Sequence, residues 1–190
     1  MMKNYEADIS NAVEVLRNGG TILYPTDTVW GLGCDATNED AVQKIFEIKK
    51  RGESKTMIVL VADETDIMKF VASPDPAIFD YIDSVSRPTT IIYENAIGLA
   101  SNLIAENGSI AIRLTRDEFC KHLIKRLRGP IVSTSANISG EATPSNFGEI
   151  SNEIIQAVDY VVKFRQNDRS KSVPSAIVKW ERGELKIIRE

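Results

Sequence analysis

Residues 8–18 (DISNAVEVLRN) place Ile9, Ala12, Val13 and Leu16 at helical spacing, and Gly19-Gly20 supplies the stop signal after this one-sided apolar stripe. A short apolar run at 21–24 predicts a buried strand, broken by Pro25 into PTDTVWGLG, whose Gly31 and Gly33 mark a loop with close backbone approach. Asn38 before Glu39 and Asp40 reads as a capped helix start. Ala41, Ile45 and Phe46 then continue the apolar face to Lys49, a cationic end that suits the helix dipole. MIVLVA at 57–62 is continuously apolar, as a strand buried on both faces would be. Amphipathic segments at about 63–71 and 75–84 precede a β-rich run at 89–93. Further along come a strand at 109–115, a helix at 116–127 and a strand at 131–136 that runs into a loop of small residues. Strands at 160–164, 175–180 and 185–189 close the sequence, the last two joined by an ERG turn at 181–183.

Helices and strands alternate early and strands cluster late. That order predicts an α/β fold, one mixed, twisted, open sheet with flanking helices, in a single domain over 1–190. A chain of 190 residues can bury about 70% of its unfolded surface. The 43% hydrophobic and 26% charged content is that of an ordinary packed protein.

Composition removes several kinds of chemistry. Cys34 and Cys120 are too few for a disulfide framework and have no CxxC spacing, and His122 is the single histidine, so neither a zinc site nor a Ser-His-Asp triad is expected. The start MMKNYEADIS lacks the basic-then-apolar pattern of a secretion signal, and no apolar run is long enough to span a bilayer, which gives a cytoplasmic expectation. Net charge is −4, so an anionic ligand or RNA would need a local basic patch. Lys49-Lys50-Arg51 with Lys55 is one candidate, with a solvated helix end as its alternative.

No GxxxxGK[ST] motif occurs, and GLG alone does not make a dinucleotide site. Four separated pieces nevertheless suit an anion: PTDTVWGLG (25–33), KKRGESK (49–55), SIAIR (109–113) and STSANISG (133–140). Arg113 alternates with Ala111 and Ser109 in an apolar strand, so its guanidinium faces one side of the sheet and requires a partner. That partner is either a structural carboxylate or a ligand carboxylate held bidentately. Ser133, Thr134 and Ser135 crowd hydroxyls at a strand end, with Asn137, Ser139 and Gly140 permitting either a simple Asx turn or a binding loop.

PTDTVWGLG, IFEIKKRGESK, AIRLT, STSANISGEATPS and SVPSAIV together, in this order and spacing, resemble the YrdC-like threonylcarbamoyl-AMP synthase family over nearly the whole chain, in its short single-domain form. The resemblance implies a concave basic cavity and a nucleotidyltransferase that makes threonylcarbamoyl-AMP and pyrophosphate from L-threonine, bicarbonate or CO2, and ATP. It further implies Mg²⁺ arriving with ATP, and a separate threonylcarbamoyl transferase complex acting on tRNA. Carried over position by position, Thr28, Arg113, Ser133 and Ser175 would contact threonine, with Arg113 anchoring its carboxylate. Arg51, Lys55, Ser109, Ser135, Thr143 and Arg189 would contact ATP, with Lys49 supporting the phosphates and Asn137 shaping the SAN loop. No general base and no protein-held metal are assigned.

Departures from the family pattern fall beside this site. Gly52, Thr56 and Met57 stand where R-P and P-L are usual, Leu60 where the longer branch has a histidine, and Trp30 where tyrosine or phenylalanine is common. Of a W-P-G-P-x-T segment only Pro88 and a threonine remain in 85–90. Three other readings compete: a family paralogue without this activity, a nonenzymatic RNA-binding module, and the carbamoyl-transfer domain of hydrogenase maturation proteins. Retention of Lys49, Arg51 and Ser135-Ala136-Asn137 opposes the first, the acidic composition opposes the second, and chain length opposes the third.

Overall fold

The computed structural model describes residues 5–50, 52, 57–170, 172–181 and 183–190. Its nine strands form one sheet: β1 (Ile22–Tyr24), β2 (Gly31–Gly33), β3 (Ile58–Val61), β4 (Thr89–Tyr93), β5 (Ile110–Leu114), β6 (Ile131–Ser135), β7 (Tyr160–Val161), β8 (Ala176–Glu181) and β9 (Glu184–Arg189). The spatial order is β7-β1-β2-β6-β3-β5-β4-β8-β9. Parallel pairs β1/β7, β3/β5 and β4/β8 are interspersed among antiparallel ones, the mixed sheet that the sequence predicts.

Among the described residues six α-helices flank it: α1 (Glu6–Arg17), α2 (Glu39–Ile48), α3 (Glu64–Phe70), α4 (Ala77–Ser84), α5 (Glu118–Leu127) and α6 (Asn152–Ala157). The Asn38 side chain caps α2 by accepting from the Ala41 amide at 3.0 Å, as its position before two acids foretells. Three features differ from expectation. The strand expected over 160–164 covers only Tyr160–Val161. The GLG segment is a strand rather than a loop, and α6 was not anticipated. No helix of the described residues is long and apolar enough to cross a membrane.

Alternation along the strands sorts the core into two layers. Leu32, Val59, Val61, Ile112, Val132 and Val178 point to one face, where the apolar sides of α2, α3 and α4 cover them. Ile22, Tyr24, Leu60 and Ile131 point to the other, under α1 and α5. Those two helices cover only part of that second face. Gly31, Ile58, Arg113, Ser133 and Ile177 belong to the remainder and line an open cleft.

The glycines of β2 let this arrangement close. A Cβ on Gly33 would stand 2.6 Å from the Tyr24 ring and 2.7 Å from the Val132 carbonyl oxygen. A Cβ on Gly31 would approach the Ser133 hydroxyl to 3.2 Å. Strands β1, β2 and β6 therefore pack across a backbone with no side chain on this face.

Candidate active site

The cleft holds a cavity of about 200 Å³. Strand ends and loops from five parts of the chain meet there: Thr28 from the β1–β2 loop, Arg113 from β5, Ser133 and Ser135 from β6, Thr143 from the following loop, and Ser175 with Arg189 from the β8–β9 end. Seven sequence-predicted positions thus converge on one cavity.

Arg113 is its chemical centre. The side chain is 3% exposed, and its Nη2 lies 3.1 Å from Oδ1 of Asp27, whose side chain is 14% exposed. A buried guanidinium requires such a counter-charge. The pair is close but misaligned: Nε and Nη2 of Arg113 and Oδ1 of Asp27 are all buried without a hydrogen-bond partner among the described residues. Nε and Nη2 donate along one edge of the guanidinium fork, the edge that a carboxylate engages bidentately. The structural carboxylate of the first reading is thus present as Asp27, while Arg113 also lines the cavity.

Hydroxyls surround this centre. Thr28 is buried, its amide donating to Thr26 Oγ1 at 3.0 Å and its hydroxyl sharing a hydrogen with that same oxygen at 3.0 Å. Thr26 Oγ1 in turn donates to the Val29 carbonyl at 2.7 Å, which locks the loop backbone. The Ser175 hydroxyl pairs with Thr90 at 2.8 Å, so the altered 85–90 segment reaches the cleft through Thr90. Ser133 lies beside the Tyr24 phenol, whose OH donates to the Val132 carbonyl at 3.1 Å and whose pKa is raised chiefly by burial.

Arg189 uses its own fork differently. Its Nε and Nη2 donate to the Ser175 carbonyl at 3.1 and 2.8 Å, fixing the second guanidinium across the cleft mouth. Partial burial, then Arg113, then Arg87 lower its pKa from the ordinary arginine value. Two arginines and no carboxylate line the cavity among the described residues, so its electrostatics favour an anion.

Lys49 sits beneath the site rather than in its lining. It is 1% exposed, and its Nζ donates to the carbonyls of Ser135 and Asn137 at 2.5 and 2.7 Å. Its own carbonyl accepts from the Ser139 amide at 2.9 Å. Asn137 ties the same turn from within, its Nδ2 donating to the carbonyls of Ile138 and Glu141 at 3.0 and 2.9 Å. These two residues shape the SAN loop. Lys50, next along, is exposed and pairs with Glu153 at 2.7 Å.

Ser109 stands apart. Its hydroxyl donates to Asn107 Oδ1 at 2.7 Å, and it lines a separate depression of about 730 Å³ with Asn102, Ile92 and Ala111. Alternation keeps it on the same sheet face as Arg113, about 13 Å away along β5 at strand rise. Arg51 and Lys55 lie outside the described residues. Sequence reasoning missed Asp27, although an acid among the hydroxyls of PTDT was the available signal, and it missed Thr90, which only the β4–β8 pairing brings to Ser175.

Of the other departures, Leu60 and Trp30 are buried, Gly52 is exposed, and Thr56 lies outside the described residues. Leu60 is fully buried under α5, so no side chain from that position enters the cleft. Trp30 packs on Phe147 with ring centroids 4.9 Å apart, behind the Thr28 loop. Cys120 donates to the Pro25 carbonyl at 3.4 Å from beneath the same loop, and burial pushes its thiol pKa up.

Known proteins share both sequence and fold. A family model described as Telomere recombination, spanning Sua5, YciO and YrdC, matches residues 14–190. A threonylcarbamoyl-AMP synthase of Coxiella burnetii (strain RSA 331 / Henzerling II) is 36% identical over 141 residues, 74% of this chain and 76% of that protein. One from Idiomarina loihiensis is 33% identical over 161 residues, 82% of this chain and 86% of that protein. The crystal structure of P. abyssi Sua5 complexed with L-threonine superposes with a TM-score of 0.86 at 22% identity, over 97% of this chain. This chain spans 54% of that longer one, and the likeness is one of fold. With the family model matching nearly its whole length, this chain belongs to the Sua5/YciO/YrdC family.

Proposed function

We propose that the protein is a threonylcarbamoyl-AMP synthase that joins L-threonine, bicarbonate or CO2, and ATP, and releases pyrophosphate. The observation that carries this reading is Arg113, a buried guanidinium that lines a small cavity rich in hydroxyls. A carboxylate fits the fork, and a small hydroxylated side chain fits between Thr28, Ser133 and Ser175. Curated relatives at 36% and 33% identity bear the name of this activity.

In the reaction the threonine nitrogen bonds to the carbon of CO2 and gives up a proton. An oxygen of that carbamate then attacks the α-phosphorus of ATP, and the bond to the departing pyrophosphate breaks. Positioning and charge neutralisation supply the catalysis. Arg113 fixes the carboxylate, Arg189 adds positive charge at the cleft mouth, and Ser135 with Thr143 offers hydroxyls on the nucleotide side. Arg51 and Lys55 are assigned to the phosphates from the sequence motif. Lys49 and Asn137 act by holding the SAN loop. An ATP that also reaches Ser109 would lie along the open sheet face.

The described residues contain no group of three or more side chains able to hold a metal. Mg²⁺ would arrive with ATP and would supply charge neutralisation for the leaving pyrophosphate. We assign the product to a separate threonylcarbamoyl transferase complex acting on tRNA, and the protein to a single-domain, cytoplasmic form.

Pyrophosphate release by the purified protein with ATP, Mg²⁺ and bicarbonate tests the assignment, comparing L-threonine, L-serine and no amino acid. Threonine-dependent release is expected. Release that ignores the amino acid, or none despite ATP binding, refutes it.

A further inference from the structure

Asp27 bears on which ligands the Arg113 fork accepts. Its carboxylate oxygen Oδ1 is buried, lacks a hydrogen bond among the described residues, and lies 3.1 Å from Nη2 of Arg113. The backbone around it is fixed, with Thr26 bonded to Val29 and Thr28, and Cys120 bonded to Pro25. Among the described residues, the Asp27 side chain, by contrast, is fastened only by its ion pair with Arg113. A carboxylate arriving at Arg113 from the cavity therefore meets a guanidinium that already has a carboxylate behind the lining. The two negative charges repel across one guanidinium unless another cation enters with the ligand.

An α-amino acid brings that cation. Its ammonium is bonded to the same carbon as its carboxylate. A carboxylate seated on the Arg113 fork thus delivers the ammonium beside Asp27. We propose that Asp27 is a specificity residue: it occupies the fork as a stand-in carboxylate in the free protein and becomes the ammonium's partner when a zwitterion binds. A plain carboxylate would gain Arg113 but leave Asp27 facing it unpaired, which is selection by an unfavourable contact built against the wrong ligand. This inference rests on the reading of the cleft as an amino-acid site.

The test is calorimetric titration of the full chain with L-threonine and with (R)-3-hydroxybutyrate, which keeps the carboxylate and hydroxyl and lacks only the ammonium. The wild-type protein should prefer threonine by at least about 30-fold, the cost of leaving a charged group unpartnered. In Asp27→Asn the preference should shrink about 10-fold or more, partly through tighter hydroxybutyrate binding, while Asp27→Glu retains it. A residue that merely supported the loop would weaken both ligands alike. An unchanged preference in folded Asp27→Asn overturns the proposal and leaves the amino-acid reading standing. Absence of threonine binding to wild type overturns both. Should Asp27→Asn fail to fold, the wild type decides alone, since hydroxybutyrate binding within threefold of threonine overturns the role of Asp27.

Discussion

Replacing Lys49 by methionine keeps the buried stem and removes only the ammonium. In the native fold that ammonium donates to the carbonyls of Ser135 and Asn137 from a position 1% exposed. Hydrogen bonds from a charged donor are worth about 1.5–3 kcal/mol each. Relief from burying the charge returns part of the loss, leaving a net destabilisation of about 3 kcal/mol. For a chain of this size that is a fall in Tm of about 6–12 °C. Thermal unfolding followed by circular dichroism, with and without ATP, reads it directly. The loop carries Ser135 into the cleft, so ATP should also protect the variant less than it protects wild type. A Tm within 2 °C of wild type, measured to the usual ~0.5 °C, would refute the argument that Lys49 holds the SAN loop.

Other expectations follow from the same geometry. Arg113→Lys keeps a charge but loses the fork, and should weaken L-threonine binding about 10- to 100-fold by calorimetry without unfolding the protein. Gly33→Ala places a methyl 2.6 Å from the Tyr24 ring and 2.7 Å from the Val132 carbonyl, and overpacking of this kind costs about 1–3 kcal/mol, seen as a lower denaturation midpoint. Burial raises the pKa of both thiols, so Cys34 and Cys120 should react with a thiol reagent only after denaturation.

Sequence periodicity located what depends on local pattern. The α1 stripe, the Asn38 cap and the apolar runs of β3 and β6 each carry a signal in neighbouring residues. It misread Gly31–Gly33 as loop, because two glycines in three residues look like a turn until Tyr24 and Val132 are known to crowd them. Helix α6 has six residues and a cap, too short for a stripe to emerge. At the site, Thr28, Arg113, Ser133 and Ser175 came from motif resemblance, and the fold gathers them in one cleft. Asp27 and Lys49 were harder, since their environments consist of residues far away in sequence. A lysine beside Lys50 and Arg51 looks solvated until the SAN loop folds over it.

The cleft draws its walls from strands of unequal security. Arg113 sits on β5 in the middle of the sheet, between β3 and β4. Arg189 sits on β9, the outermost strand, whose residues are exposed along its whole length, Ile187 by 61% and Ile188 by 52%. Little apolar contact opposes the peeling of such a strand, and local opening there costs far less than global unfolding. Peeling would carry Arg189 away and release the Ser175 carbonyl, while Arg113 and Thr28 stayed in place. Amide exchange should therefore run from fast at β9 to slow at β5, dividing the site into a permanent half and one that comes and goes with the breathing of a sheet edge.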